Sequence, residues 1–225
     1  MGHQRAGWPG SEQTAAAEIE VVFRRAAADL DALHAGWAVI GGLAVSVRSR
    51  PRPAHDVDFA VSVATDGEAE AIISMLKDRG YIDAMRLETP VGAVSRLAMV
   101  RLLHIVPEDS EIYVDLLFAR FGIEDLIVQH AARAEVLPGC AAPVASVGHL
   151  IAMKLLSAGE SRPQDQLDLS ALLAAAGPAD VAQARDAAAV ITARGFSQGR
   201  ALHRDLEYQI CDYLSKDQKQ VSRPQ

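Results

Sequence analysis

The chain has 225 residues, half of them hydrophobic and 5% aromatic, and its 22 basic against 29 acidic side chains leave a net charge of −7. That size suits one large domain or two small ones with a core that needs no disulfide or metal staple, and the composition excludes a disordered chain. No apolar run approaches the roughly 20 residues that span a bilayer, so no membrane association is expected, and the acidic balance argues against a broad nucleic-acid footprint while leaving room for a local basic pocket. The leading MGHQRAGWPGSEQ lacks the apolar stretch of a secretory signal, and Ala6 stands where a myristoylation site wants Ser or Thr. Two cysteines far apart, Cys140 and Cys211, argue against a disulfide framework and for the cytoplasm.

In chain order, Ile19, Val22, Phe23, Ala26, Leu30 and Leu33 recur at helical steps and predict a helix over 14–34. Trp37–Ile40 reads as a buried strand cut by Gly41-Gly42, with a short helix over 43–47. The Arg- and Pro-rich stretch 49–55 is a loop. Alternation predicts a strand over 56–63, then a helix over 68–79 ended by Gly80. Short strands follow at 81–85 and 96–106, a turn at 107–110, a strand at 111–118, a helix at 123–132 and a hairpin at 134–146. Beyond Ser146 the pattern is entirely helical: 148–157, 163–176, 179–193 and 196–214, with a polar, frayed tail after Ser215. The expected fold class is α/β (α+β), a mixed sheet flanked by helices with a helical bundle after it. The expected domains are 1–145 and 146–225.

The chemistry concentrates between Gly41 and Val61. A strand that ends in two glycines and turns at once into a helix offers unpaired amides and a partial positive charge, a seat for phosphate. Asp56 and Asp58 lie two apart on a strand, so both carboxylates share one face while Val57 and Phe59 point inward. Two such like charges invite a divalent cation. Asp115 interrupts EIYVDLLF on the face opposite Ile112, Val114, Leu116 and Phe118, and a lone carboxylate there needs a partner. If its strand lies beside that of Asp56, three carboxylates converge, enough for two Mg²⁺ ions and in-line displacement at phosphorus. Plainer readings stay open: a tight turn at the glycines, a solvated strand face for Asp56 and Asp58, and an ion pair from Asp115 to Arg96 or Arg101. For Lys154 the plain reading is a snorkelling surface lysine, and for Asp165 and Asp168 it is first-turn acids after Pro163. Arg48, Arg50 and Arg52 form either a basic lip or a solvated loop.

This order of elements resembles the nucleotidyltransferase fold of the DNA polymerase β-like superfamily. More narrowly, Gly41-Gly42-Leu43-Ala44-Val45 and Arg52-Pro53-Ala54-His55-Asp56-Val57-Asp58 resemble the AbiEii/AbiGii-type nucleotidyltransferases, many of them toxins of toxin–antitoxin pairs. The resemblance extends over about 37–175: LIAMKLLSA places Lys154 where that family has a nucleotide-facing lysine, and SRPQDQLDLSALL places Arg162, Asp165 and Asp168 in its Arg/Lys-x-x-Asp-x-x-Asp-Leu helix start. Ala54 replaces the usual Thr or Ser, and Gly42 replaces the Ser of minimal members.

The resemblance implies that Asp56, Asp58 and Asp115 are catalytic and bind Mg²⁺ or Mn²⁺. It implies that Gly41, Gly42, Arg52, Lys154, Asp165 and Asp168 handle the nucleotide. The implied reaction moves a nucleoside monophosphate from an NTP to a hydroxyl and releases pyrophosphate. The implied acceptor is tRNA and the implied partner a cognate antitoxin. The departures at Ala54 and Gly42 motivate one alternative, a catalytically weak or inactive binding or regulatory protein; the acceptor also leaves open a protein hydroxyl or a small molecule, hence an antibiotic-modifying transferase.

Overall fold

The computed structural model of the chain describes residues 10–105, 111–158 and 162–221. Helix α1 (Gly10–Ala32) buries the predicted stripe, with Val22, Phe23, Ala26 and Leu30 all but inaccessible. Strand β1 (Gly36–Val39) leads into α2 (Gly41–Arg48), and β2 (Asp56–Ser62) and α3 (Asp66–Lys77) follow. Thr65 caps α3 by accepting from the Glu68 amide, while the Glu68 carboxylate accepts from the Ala64 amide. Next come β3 (Ile82–Val91), β4 (Val94–Ile105), β5 (Glu111–Leu117), α4 (Glu124–Gln129), β6 (Ala132–Leu137) and β7 (Cys140–Val144). The helices α5 (Val147–Ser157), α6 (Pro163–Ala175), α7 (Pro178–Ala193) and α8 (Leu202–Val221) complete the described chain.

The seven strands form one mixed sheet in the order β3-β4-β5-β2-β1-β7-β6. The pairs β2–β5 and β1–β7 are parallel and the others antiparallel. The expected α/β architecture with its mixed sheet is therefore what the chain adopts. Strand β2 lies at the centre, and register sets Asp58 opposite Asp115 on one side, while Arg101 of β4 stands opposite Asp115 on the other. Alternation does the rest: Val57, Phe59, Val114 and Leu116 are buried in the core, leaving the acidic face to a cleft. The core is continuous from Ile19 of α1 through the sheet to Leu206 of α8.

Several elements differ from the expectation. The strand expected at 81–85 runs on to Val91 and joins β4 in a hairpin turned at Gly92, φ +62°. Pro90 hid it, but β3 is an edge strand, where a missing amide costs no ladder bond. The helix expected from Phe196 starts only at Leu202, because Gln198 (φ +54°) and Gly199 (φ +77°) have left-handed backbone that no α-helix accepts. It then continues to Val221 instead of fraying after Ser215. Helix α2 begins two residues earlier than expected, at Gly41, and α4 ends at Gln129 because Ala132 already pairs in β6. The expected turn at 107–110 lies outside the described residues. Cys140 and Cys211 are free thiols, and no described helix is long and apolar enough to cross a membrane.

Candidate active site

Two neighbouring strands, β2 and β5, build the acidic side of the site. Asp56 and Asp58 of β2 are half-buried and Asp115 of β5 is buried, and one oxygen of each lies within 4.8 Å of the others. Burial first, then the charges of Asp56 and Asp115, push the Asp58 carboxyl up to about 7, with Lys154 and Arg101 pulling the other way. The sheet thus holds together carboxylates that repel one another, a donor set of hard oxygens that fits a divalent cation.

Gly41 sits beside this cluster for two physical reasons. Its φ is +61°, and a Cβ there would collide with the Asp58 carboxylate. The Ile40 amide donates to the Asp58 carbonyl at 3.0 Å, which ties the bend to β2. No side chain caps α2, and its first residues, Gly41 and Gly42, line the cleft. A Cβ on Gly42 would lie 3.0 Å from Arg52 Nη1, so this glycine admits the guanidinium against the helix start.

A second group of charges faces the carboxylates. Arg52 forks onto Asp168, Nε to Oδ1 at 2.7 Å and Nη2 to Oδ2 at 2.8 Å, and Nη1 donates to the Pro53 carbonyl. The Ser46 hydroxyl of α2 accepts from the Arg52 amide and donates to its carbonyl, which fixes the loop. Lys154 of α5 reaches Asp165 at 2.6 Å and Asp168 at 2.9 Å. Burial works against its charge, but these hydrogen bonds outweigh it and raise the Lys154 pKa. Burial likewise opposes the Asp168 charge, yet Arg52, Lys154 and Gln164 hold its carboxyl below the usual range. Asp168 is 2% exposed and Lys154 14%, so Lys154 is no snorkelling surface lysine.

All nine residues singled out from the sequence therefore border one region. Eight of them line a cleft of about 490 Å³, and Asp168 stands behind it as the common partner of Arg52 and Lys154. The plain reading of Asp115 is also realised: Arg101, not Arg96, forks onto it, Nε to Oδ1 at 2.7 Å and Nη2 to Oδ2 at 2.6 Å. Arg96 instead pairs with Asp66. The arginine-rich loop does not form one lip. Arg48 turns away to the carbonyls of Ala145, Val144 and Ala132, and Arg52 is locked on Asp168.

Sequence reasoning missed Arg120 and the apolar wall of Met85, Leu87 and Met99, all of which line the cleft. Arg120 makes no ion pair with the described residues. Burial and the nearby charge of Arg162 lower its pKa. A lone charge in the apolar run LAMVRLLHI marked Arg101 as plainly as a lone acid marked Asp115, but the β3–β4 hairpin that brings the methionines over the site left no periodic signal.

Comparison with solved structures finds similarity to an antigenic nucleotidyltransferase-like protein from Paracoccidioides brasiliensis at 18% identity, TM-score 0.49, covering 86% of this chain and 94% of that one. The antibiotic-resistance factor ANT(2'')-Ia aligns at 17% identity, TM-score 0.44, over 92% and 96% of the two chains. JHP933 from Helicobacter pylori aligns at 14% identity, TM-score 0.46, over 94% and 96%. No curated protein matches the sequence. The family described as "Nucleotidyl transferase AbiEii toxin, Type IV TA system" matches residues 25–218, which takes in α2, the two strands of the acidic cluster and the helices that carry Lys154, Asp165 and Asp168. With that match over most of its length, the chain belongs to the AbiEii nucleotidyl transferase toxin family.

Proposed function

We propose that this chain transfers a nucleoside monophosphate from an NTP to the hydroxyl of a tRNA 3′ end, with Mg²⁺ or Mn²⁺, as the cytoplasmic toxin of a pair whose antitoxin restrains it. The observation that carries the reading is the meeting of Asp56, Asp58 and Asp115 beside the uncapped start of α2.

Asp56 and Asp58 would hold the cation, joined by Asp115 where the Arg101 fork is off it, and the chemistry it supplies when bound is withdrawal of negative charge from the reacting phosphate. The chain's own groups do the remainder. The amides that open α2 receive the outer phosphates, helped by the positive end of the helix. Arg52 and Lys154 stand beside them, held rigid by Asp165 and Asp168, so that positive charge is in place before pyrophosphate begins to leave. The acceptor oxygen attacks the α-phosphorus, the bond to the β-phosphate oxygen breaks, and pyrophosphate carries the charge away. The proton of the acceptor hydroxyl passes to Asp115 once the Arg101 fork is off it.

The charges of the cleft favour an anionic acceptor over a polycationic antibiotic. Asp115 and Asp165 already face Arg101 and Lys154, and Asp56 and Asp58 are reserved for the cation. Arg120, by contrast, makes no ion pair among the described residues and feels the Glu124 carboxylate only from a distance, and Arg162 touches Asp165 only at 3.6 Å. These cations reconcile a local RNA contact with the net charge of −7.

Incubation with labelled NTPs, Mg²⁺ and total RNA tests the reading. Label is expected on tRNA from one or more NTPs, lost in Asp58→Asn, together with growth arrest on expression. Label on an aminoglycoside in place of RNA moves the acceptor to the antibiotic class. No transfer from any NTP, with no effect on growth, removes the enzymatic reading.

A further inference from the structure

Arg101 reaches into the acidic cluster from a third strand. Register on β4 sets it directly opposite Asp115, so its place is dictated by the sheet and not by a mobile loop. Both Asp115 oxygens receive a guanidinium N–H, at 2.7 and 2.6 Å, and the same Nη2 lies 3.5 Å from Asp56 Oδ2. The guanidinium also lies over the Tyr113 ring, 5.0 Å from its centroid, which steadies it in place.

A forked guanidinium takes the in-plane lone pairs of a carboxylate that a hard cation would otherwise use. Its positive charge, a few ångströms away, also repels a dication seeking the same carboxylate. Asp56 and Asp58 are less committed. Among the described residues the one ion pair of Asp56 is the long 3.5 Å contact to Arg101, and no ion pair engages Asp58.

We propose that Arg101 is a resident cation of the cluster, one that occupies the Asp115 end so that the nucleotide-free protein binds a single divalent ion, at Asp56 and Asp58. This rests on the metal-dependent reading above and adds a stoichiometry to it. A second ion binds only where the Arg101 fork is taken off Asp115. Arg101 thereby acts as a positioning residue through Asp115.

The test is Mn²⁺ alone, titrated into the full chain without nucleotide and followed by electron paramagnetic resonance and calorimetry. One ion per chain is expected for the wild type, lost in Asp58→Asn. Arg101→Gln is expected to bind two, or to bind the first about tenfold more tightly. Two ions of similar affinity in the wild type overturn the proposal and leave the transferase reading standing, as does an Arg101→Gln variant with unchanged stoichiometry and affinity. A wild type that binds no Mn²⁺, or an ion that survives Asp58→Asn, overturns the proposal, and label transfer from NTP then decides the transferase reading separately. Arg101→Gln strips a buried carboxylate of its partner; if it does not fold, the wild-type stoichiometry decides.

Discussion

The two charged halves of the cleft are built on opposite principles. On the strands, register forces Asp56, Asp58 and Asp115 together although they repel, with Arg101 as partial relief. On the loop and helices, Arg52, Lys154, Asp165 and Asp168 alternate in sign and satisfy one another. The first arrangement holds like charges against their preference, a state that a cation would relieve. The second is an ordered frame that holds its cations at fixed positions before any substrate arrives. A catalytic site needs both, since one half must bind and the other must stay still.

Substitutions separate the halves. The largest expected effect is in Asp58→Asn: turnover falls by about a thousandfold or more, while the metal-free protein is as stable as the wild type or more so, because a repelled charge is gone. Label transfer and urea unfolding on the same preparation measure both, and a strongly destabilised Asp58→Asn would erase the contrast. Asp168→Ala should do the reverse. It strands Arg52 in a partly buried position, leaves Lys154 with Asp165 alone and lowers unfolding stability by about 3 kcal/mol, visible as a shifted urea midpoint.

The halves should also respond to pH with opposite signs. Asp58 is raised from its ordinary 3.8 to about 7. Its contribution is therefore fully present below about 4 and is lost as pH rises toward 7. The Asp168 pKa is lowered, so its contribution is present above about 4 and is lost as pH falls through its depressed value. Melting temperatures of the metal-free protein across pH 3–8 should show Asp58→Asn flattening the neutral limb and Asp168→Asn flattening the acid limb; the same change in both limbs for either variant would mean the two groups are not separable. Added Mn²⁺ should restore stability on the neutral limb alone. The smallest effect is expected for Gly42→Ala, whose Cβ presses on the end of the Arg52 side chain. It should cost about 1 kcal/mol of stability, with weaker binding of a fluorescent NTP analogue.

Much of the fold was legible because its signals are local. Period-two alternation in DVDFAVS and EIYVDLL placed the carboxylates and their faces, and the stripe of α1 named residues that are buried. The β3–β4 hairpin escaped because Pro90 and Gly92 mimic a loop, and the start of α8 moved because left-handed backbone at Gln198 leaves no mark in a hydrophobic pattern. At the site, all nine singled-out residues could be named, but their relations could not. Nothing in the spacing says that Asp168 joins Arg52 to Lys154 or that Arg101 wins Asp115 over Arg96.

Residue order along one strand or helix already dictated which side chains face inward, where the glycine bend falls and which acids stand out in apolar company, for these depend on backbone geometry a few residues long. Strand order was decided by the assembled sheet. Only the parallel pairing of β2 with β5, and the antiparallel pairing of β5 with β4, sets Asp58, Asp115 and Arg101 in one row. Charges tens of residues apart in the chain meet at hydrogen-bond distance solely because the core closes around them, and at that range Coulomb forces determine which carboxylate is paired and which is left for a cation.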